Sequence, residues 1–210
     1  MWEPEKLRDF FVNFDKSNPN HLKAVDILQR HAAPLMNDES SWVKIYRARE
    51  LEVKTPDKAV ELIAKWEGFR GTPYLCPAGV WTIGYGSTYY PNGNVVTPED
   101  KAITKEEAME MLKNHVTKVI GPTLAKVIPT WHNMNENKRA AIISFAYSVG
   151  TYFYGGTNFF SITNALSRKE NWHDVPRALR LYVNPGSSFE QGLKSRRNDE
   201  VALWLTAPRV

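Results

Sequence analysis

Residues 5–14 place Leu7, Phe10, Phe11 and Phe14 at i, i+3, i+4 and i+7, the stripe of an amphipathic helix. Asn18-Pro19-Asn20 breaks that pattern, and Leu22, Val25, Ile27 and Leu28 predict a second helix to about His31. A third starts at Asp38, where Asp38-Glu39-Ser40-Ser41 sets acidic and capping residues ahead of Trp42, Val43, Ile45 and Tyr46. These elements make a small helical accessory module over residues 1–54. A unit of that size buries too little surface to be stable alone, so it is expected to dock or to bind something.

Val53-Lys54-Thr55-Pro56-Asp57 reads as a boundary, with Thr55 or Asp57 capping the next helix, and a second domain is expected over 55–210. Ala59, Leu62, Ile63 and Trp66 form its buried stripe, and Gly68 stops it, which leaves Glu67 at the helix end. The aromatic, β-branched and glycine-rich run Tyr74 to Thr88, with its Pro77-Ala78-Gly79 turn, predicts a small antiparallel sheet. Asn92-Gly93 predicts a hairpin turn between Tyr89-Tyr90 and Val95-Val96. Helices follow, opened by a capping box of Thr104 and Glu107. The run Asn135 to Val149, apolar around its girth and stopped by Gly150, predicts the central core helix; others are expected over 159–168, 172–183 and 189–205. The fold class is α+β and mainly helical: a small antiparallel sheet beside a helical lobe, preceded by the helical module.

Composition narrows the setting. With 42% hydrophobic and 24% charged residues the chain reads as a soluble globular protein rather than a disordered one. A net charge of +4 favours an anionic partner, for which wall polymer and nucleic acid both qualify. The one cysteine, Cys76, excludes an intramolecular disulfide. Met1 to Phe14 is charged throughout, which argues against a secretory signal, and no stretch approaches the roughly 20 apolar residues of a spanning helix. Synthesis in the cytoplasm, with no stable membrane insertion, is the expectation, so any action on a cell wall would need another agent for release. His21, His31, His115, His132 and His173 show no metal-ligand spacing with acidic residues or a second cysteine, so no metal and no cofactor is expected.

Glu67 lies between Trp66 and Phe69 at the end of an apolar helix. Apolar surroundings disfavour a charged carboxylate, which suits a general acid. The surrounding string is more specific: Glu67-Gly68-Phe69-Arg70, Tyr74, Cys76, and Gly79-Val80-Trp81-Thr82-Ile83-Gly84-Tyr85-Gly86. It closely resembles the phage lysozymes of glycoside hydrolase family 24. The resemblance continues through Met134 to Ala141, Ser144 to Gly150, and Gly192-Leu193-Lys194-Ser195-Arg196-Arg197 with Glu200 and Leu203-Trp204, spanning about residues 57 to 205.

In that family an acid glutamate is followed nine residues later by an aspartate and six further on by a threonine; those positions are Glu67, Cys76 and Thr82. The resemblance implies a lysozyme-like domain and a peptidoglycan muramidase, an endolysin of host lysis. Such an enzyme cuts the β-1,4 bond between N-acetylmuramic acid and N-acetylglucosamine, with peptidoglycan rather than nucleic acid as partner, and a monomer is expected. It further implies inversion at the anomeric carbon, with water held opposite the acid by the aspartate and threonine. Cys76 departs from the pattern, although some members carry cysteine there. As thiolate it has three open roles: stabilising an oxocarbenium-like centre, steering water, or attacking the anomeric carbon.

Arg196 matches the arginine that pairs with the acid, and Arg197 is the other candidate. Tyr147, Ser148 and Ser161 match cleft positions, and Tyr85, Tyr89 and Tyr90 are candidates for stacking on sugars. Ser87 stands where many relatives have histidine. Two other functions remain open at this point: a lytic transglycosylase, which works with a glutamate and no aspartate, and a wall-binding protein without catalysis. A cysteine hydrolase pairing Cys76 with a histidine has no local signature.

Overall fold

The computed structural model describes residues 57–207. The chain divides into two units, Met1–Glu52 and Val53–Val210, and the second is described below. The helices expected over 5–14, 22–31 and from Asp38 lie outside the described residues, as does the cap at Thr55.

Helix α1 (Asp57–Glu67) buries Ala59, Val60 and Ile63. The expected stripe is rotated by one position, because Trp66 sits at the rim with its indole Nε1 donating to Asp199 Oδ2 at 3.1 Å. Gly68 ends the helix at φ +68°, its N–H donating back to the Ala64 carbonyl at 3.3 Å. A residue with a Cβ is strained in that conformation, so the stop directly after Glu67 is built into the glycine.

Strand β1 (Arg70–Leu75) pairs antiparallel with β2 (Trp81–Gly84), in the register Arg70↔Gly84, Tyr74↔Thr82 and Leu75↔Trp81. The first strand starts at Arg70 rather than Tyr74; Gly71 and Pro73 are poor strand formers, and the pairing there is irregular. A turn joins the strands, with Gly79 N–H donating to Cys76 O at 2.8 Å and Cys76 N–H to Val80 O at 3.0 Å. The Asn92-Gly93 turn forms as expected, with Gly93 N–H donating to Tyr90 O at 2.9 Å, but only the isolated bridge Tyr89↔Val95 flanks it. Beyond that bridge Asp100 draws the chain away, accepting from Thr97 N–H at 2.8 Å and from the Tyr90 hydroxyl at 3.1 Å.

Helix α2 (Lys105–His115) opens on the Thr104–Glu107 capping box. It runs through a π-helical turn, Val116–Ile120, into α3 (Gly121–Val127). Pro122 lies in the first turn of α3 and lacks the N–H that a continuous α-helix needs. The wider turn absorbs that defect, and Gly121 N–H bonds to Val116 O instead.

Helix α4 (Glu136–Val149) is the centre of the domain, with Ala140 through Ala146 all buried, and it packs on α1 and α7. Asn135 caps it through Lys138 N–H at 2.9 Å, and Gly150 stops it at φ +101°. Helix α5 (Phe160–Ser167) and α7 (Glu190–Leu205) occupy the expected spans. The helix expected over 172–183 is instead a 3-10 segment, Lys169–Asp174, followed by the short α6 (Val175–Leu179). Pro176 explains the break, since proline is accommodated in the first turn of a helix and not in its interior. The whole is mainly helical with one small antiparallel sheet, the expected class.

Candidate active site

Three elements converge where α1 ends. Arg196 of α7 places Nη1 at 2.7 Å from Glu67 Oε1, with the glutamate side chain 26% exposed and the arginine 7%. The same guanidinium donates from Nη2 to Ser144 O of α4 at 3.1 Å and lies with Nε 3.4 Å from Glu200 Oε1. Of the two candidate arginines, Arg196 therefore holds Glu67. Arg197 faces inward, fully buried, with its guanidinium 4.8 Å over the Phe145 ring.

The third element is the chain leaving β2. Gly86 has φ +91°, and a Cβ there would sit 3.4 Å from Tyr147 Oη and 3.6 Å from Glu67 Oε2. Backbone thus lies against both side chains. The Tyr147 hydroxyl donates to Tyr85 O at 2.7 Å. Burial, with the Glu67 carboxylate adding to it, pushes the Tyr147 phenol above its ordinary range, so it stays a neutral donor.

Cys76 and Thr82 stand on the hairpin. Thr82 is buried in β2 and donates from Oγ1 to Val80 O at 3.0 Å. Cys76 is half-buried in the turn after β1. The backbone N–H of Val80, then that of Ala78, and the Thr82 hydroxyl face its sulfur and hold the thiol below its usual range, against a smaller opposing effect of burial. Tyr74 lies between the two parts of the site: its phenol feels both the Glu67 and the Cys76 charges, and Arg70 sits 4.4 Å over its ring.

The remaining candidates are placed less centrally. Tyr85 cannot stack on a sugar, because its ring is buried beside Phe69 with centroids 5.7 Å apart; its contribution is the carbonyl that holds Tyr147. Ser148 and Ser161 are half-buried on α4 and α5, and no hydrogen bond among the described residues joins either to Glu67, Cys76 or Thr82. Tyr89 is exposed and bonded through its hydroxyl to His115 Nδ1 at 2.7 Å, and burial holds His115 below its ordinary range. With Tyr147 these two line a groove of about 360 Å³. Ser144, Glu200, Tyr74 and His115 were not among the candidates read from sequence. Glu200, four residues after Arg196 and three after Arg197, carried a legible helical spacing. Among the described residues no group of three His, Cys, Asp or Glu side chains is placed to hold a metal ion, and no helix is long and apolar enough to cross a membrane.

Residues 64–200 match the family described as phage lysozyme. The chain belongs to the phage lysozyme family. It is 31% identical over 165 residues to the SAR-endolysin of Escherichia phage P1, covering 73% of this chain and 83% of that protein. Among solved structures it resembles the active form of P1 phage endolysin Lyz (26% identity, TM-score 0.56, 79% of this chain and 92% of that one). It likewise resembles the endolysin of Escherichia coli O157:H7 phage FAHEc1 (25%, TM-score 0.59, 74% and 97%). This phage lysozyme is a glycoside hydrolase of the endolysin and muramidase class, and the architecture above is the lysozyme-like one.

Proposed function

We propose that the enzyme hydrolyses the β-1,4 bond between N-acetylmuramic acid and N-acetylglucosamine in peptidoglycan, with Glu67 as general acid, Cys76 in the place of the usual aspartate, and Thr82 assisting. The observation that carries this reading is the Tyr74 phenol, which feels both Glu67 at the helix end and Cys76 on the hairpin. A carboxyl and an ionisable thiol so placed flank one opening, as bond cleavage between two sugars requires.

Glu67 gives its proton to the leaving oxygen as the bond to the anomeric carbon breaks. Water attacks that carbon from the other side, and the Cys76 thiolate takes the water's proton. The Thr82 hydroxyl orients the water, since one oxygen can accept and donate at once. Solvent then recharges Glu67 and receives the proton from Cys76. The sulfur is alternatively a nucleophile that attacks the carbon itself, with retention of configuration, and the anomer of the first-formed product separates the two routes. A lytic transglycosylase would instead close the muramic acid 6-hydroxyl onto the same carbon.

Thr82→Ala is expected to lower turnover about 10-fold to 100-fold with about 1 kcal/mol lost from stability as the bond to Val80 disappears. Reducing-end release and thermal unfolding measure the two effects; an unchanged rate removes Thr82 from the mechanism.

Residues 55–210 form the catalytic domain in this reading, and residues 1–54 an accessory module that holds the enzyme on the wall, with Trp42 and Tyr46 beside Lys44 and Arg47. The protein would be a monomer made in the host cytoplasm and released to the wall at lysis. Deleting residues 1–54 is expected to weaken co-sedimentation with purified walls several-fold, and equal co-sedimentation would reject the anchoring role.

A further inference from the structure

Behind Glu67 the side chains form a row of alternating charge. Arg196 holds Glu67 at 2.7 Å, lies 3.4 Å from Glu200, and Glu200 in turn lies 2.9 Å from Arg197. Glu200 and Arg197 are fully buried, and the row reaches solvent at Glu67. From α4, the Ser144 hydroxyl donates to Glu200 Oε1 at 2.8 Å and the Phe145 ring lies under Arg197. Arg197 Nη1 is buried with no hydrogen-bond partner. Packing does not account for such a row, because apolar side chains of similar volume usually fill a buried ion-pair site at equal or better stability.

We propose that Glu200 and Arg197 are positioning residues that set, through Arg196, how readily Glu67 carries a proton. The proposal rests on Glu67 being the acid. The charge count gives the sign. With both carboxylates ionised the row is neutral, and a proton on Glu67 leaves one net positive charge. Remove the Glu200 charge and that same proton leaves two, so Glu67 is driven toward its ionised form. Remove the Arg197 charge instead and an ionised Glu67 leaves the row negative, so the proton is favoured. The other groups facing Glu67 are the Tyr74 phenol from β1, with Arg70 beside it, and the Tyr147 phenol from α4. Both substitutions leave these in place.

The test follows the carbon-13 titration of the Glu67 carboxyl, assigned by its absence in Glu67→Gln, alongside the pH dependence of turnover. Glu200→Gln is expected to move the titration midpoint, and the alkaline limb of the rate profile, to lower pH by about 1 unit. Arg197→Met is expected to move both upward by a similar amount, and the double substitution to bring them back toward the native value. Opposite signs are the signature, since loss of packing alone has no reason to produce them. Should either variant be too unstable to assay, Ser144→Ala removes only the hydroxyl that supports the Glu200 charge. Glu200 then leans more on Arg196, and an upward shift of about 0.3 unit is expected. Midpoints that stay put, or that move the same way in both variants, overturn the proposal. An active Glu67→Gln would refute the acid assignment instead, while the titration still reports on the row.

Discussion

Glu67→Gln is expected to lower the rate of murein cleavage by about 1,000-fold or more while the protein stays folded. The amide keeps an oxygen that accepts from Arg196 Nη1, so the contact between α1 and α7 survives in weakened form. Arg196 also keeps Ser144 O and Glu200, and the loss of stability is expected to stay within about 1–3 kcal/mol. What disappears is the transferable proton. Circular dichroism and thermal unfolding beside a turbidity assay separate the two effects; a native rate in a folded variant would end the assignment of Glu67 as acid.

Cys76→Ser is expected to cost about 100-fold or more, and Cys76→Asp to recover most of that loss. Serine matches the thiol in shape but does not ionise in the working range, whereas aspartate does so near 3.9 against about 8.5 for an unperturbed thiol. The Val80 and Ala78 N–H groups and the Thr82 hydroxyl, which favour the thiolate, would equally favour a carboxylate. The sign with pH follows from these values. Activity needs Glu67 protonated and residue 76 ionised, so replacing thiol by carboxyl lets the second condition be met at lower pH, and the optimum shifts in the acid direction. Equal activity of Cys76→Ser and the native enzyme would reduce the cysteine to a spacer.

Local signals that a single residue enforces were legible in the sequence. Gly68 ends α1 directly after Glu67, the Thr104–Glu107 box starts α2, and Asn135 and Gly150 bracket α4, because each acts on its own turn of backbone. Features set by packing between distant segments were not. The buried face of α1 includes Val60 because Trp66 is drawn aside to Asp199 on α7. Pro176 splits the expected 172–183 helix, a local cue that the apolar pattern across it masks. Tyr85 reads as a candidate for sugar stacking, yet the β2 exit turns its ring into the core and leaves its carbonyl to Tyr147. The choice between Arg196 and Arg197 needed the rotation of α7 against α4, which only the assembled core defines.

Digestion of purified walls in oxygen-18 water, with mass spectrometry of the released muropeptides, tests the hydrolytic role of Glu67 most directly. Heavy oxygen should appear at each new muramic acid reducing end with the native enzyme, and no new ends should form with Glu67→Gln. Unlabelled 1,6-anhydro ends, or labelled ends formed by Glu67→Gln at the native rate, would contradict it.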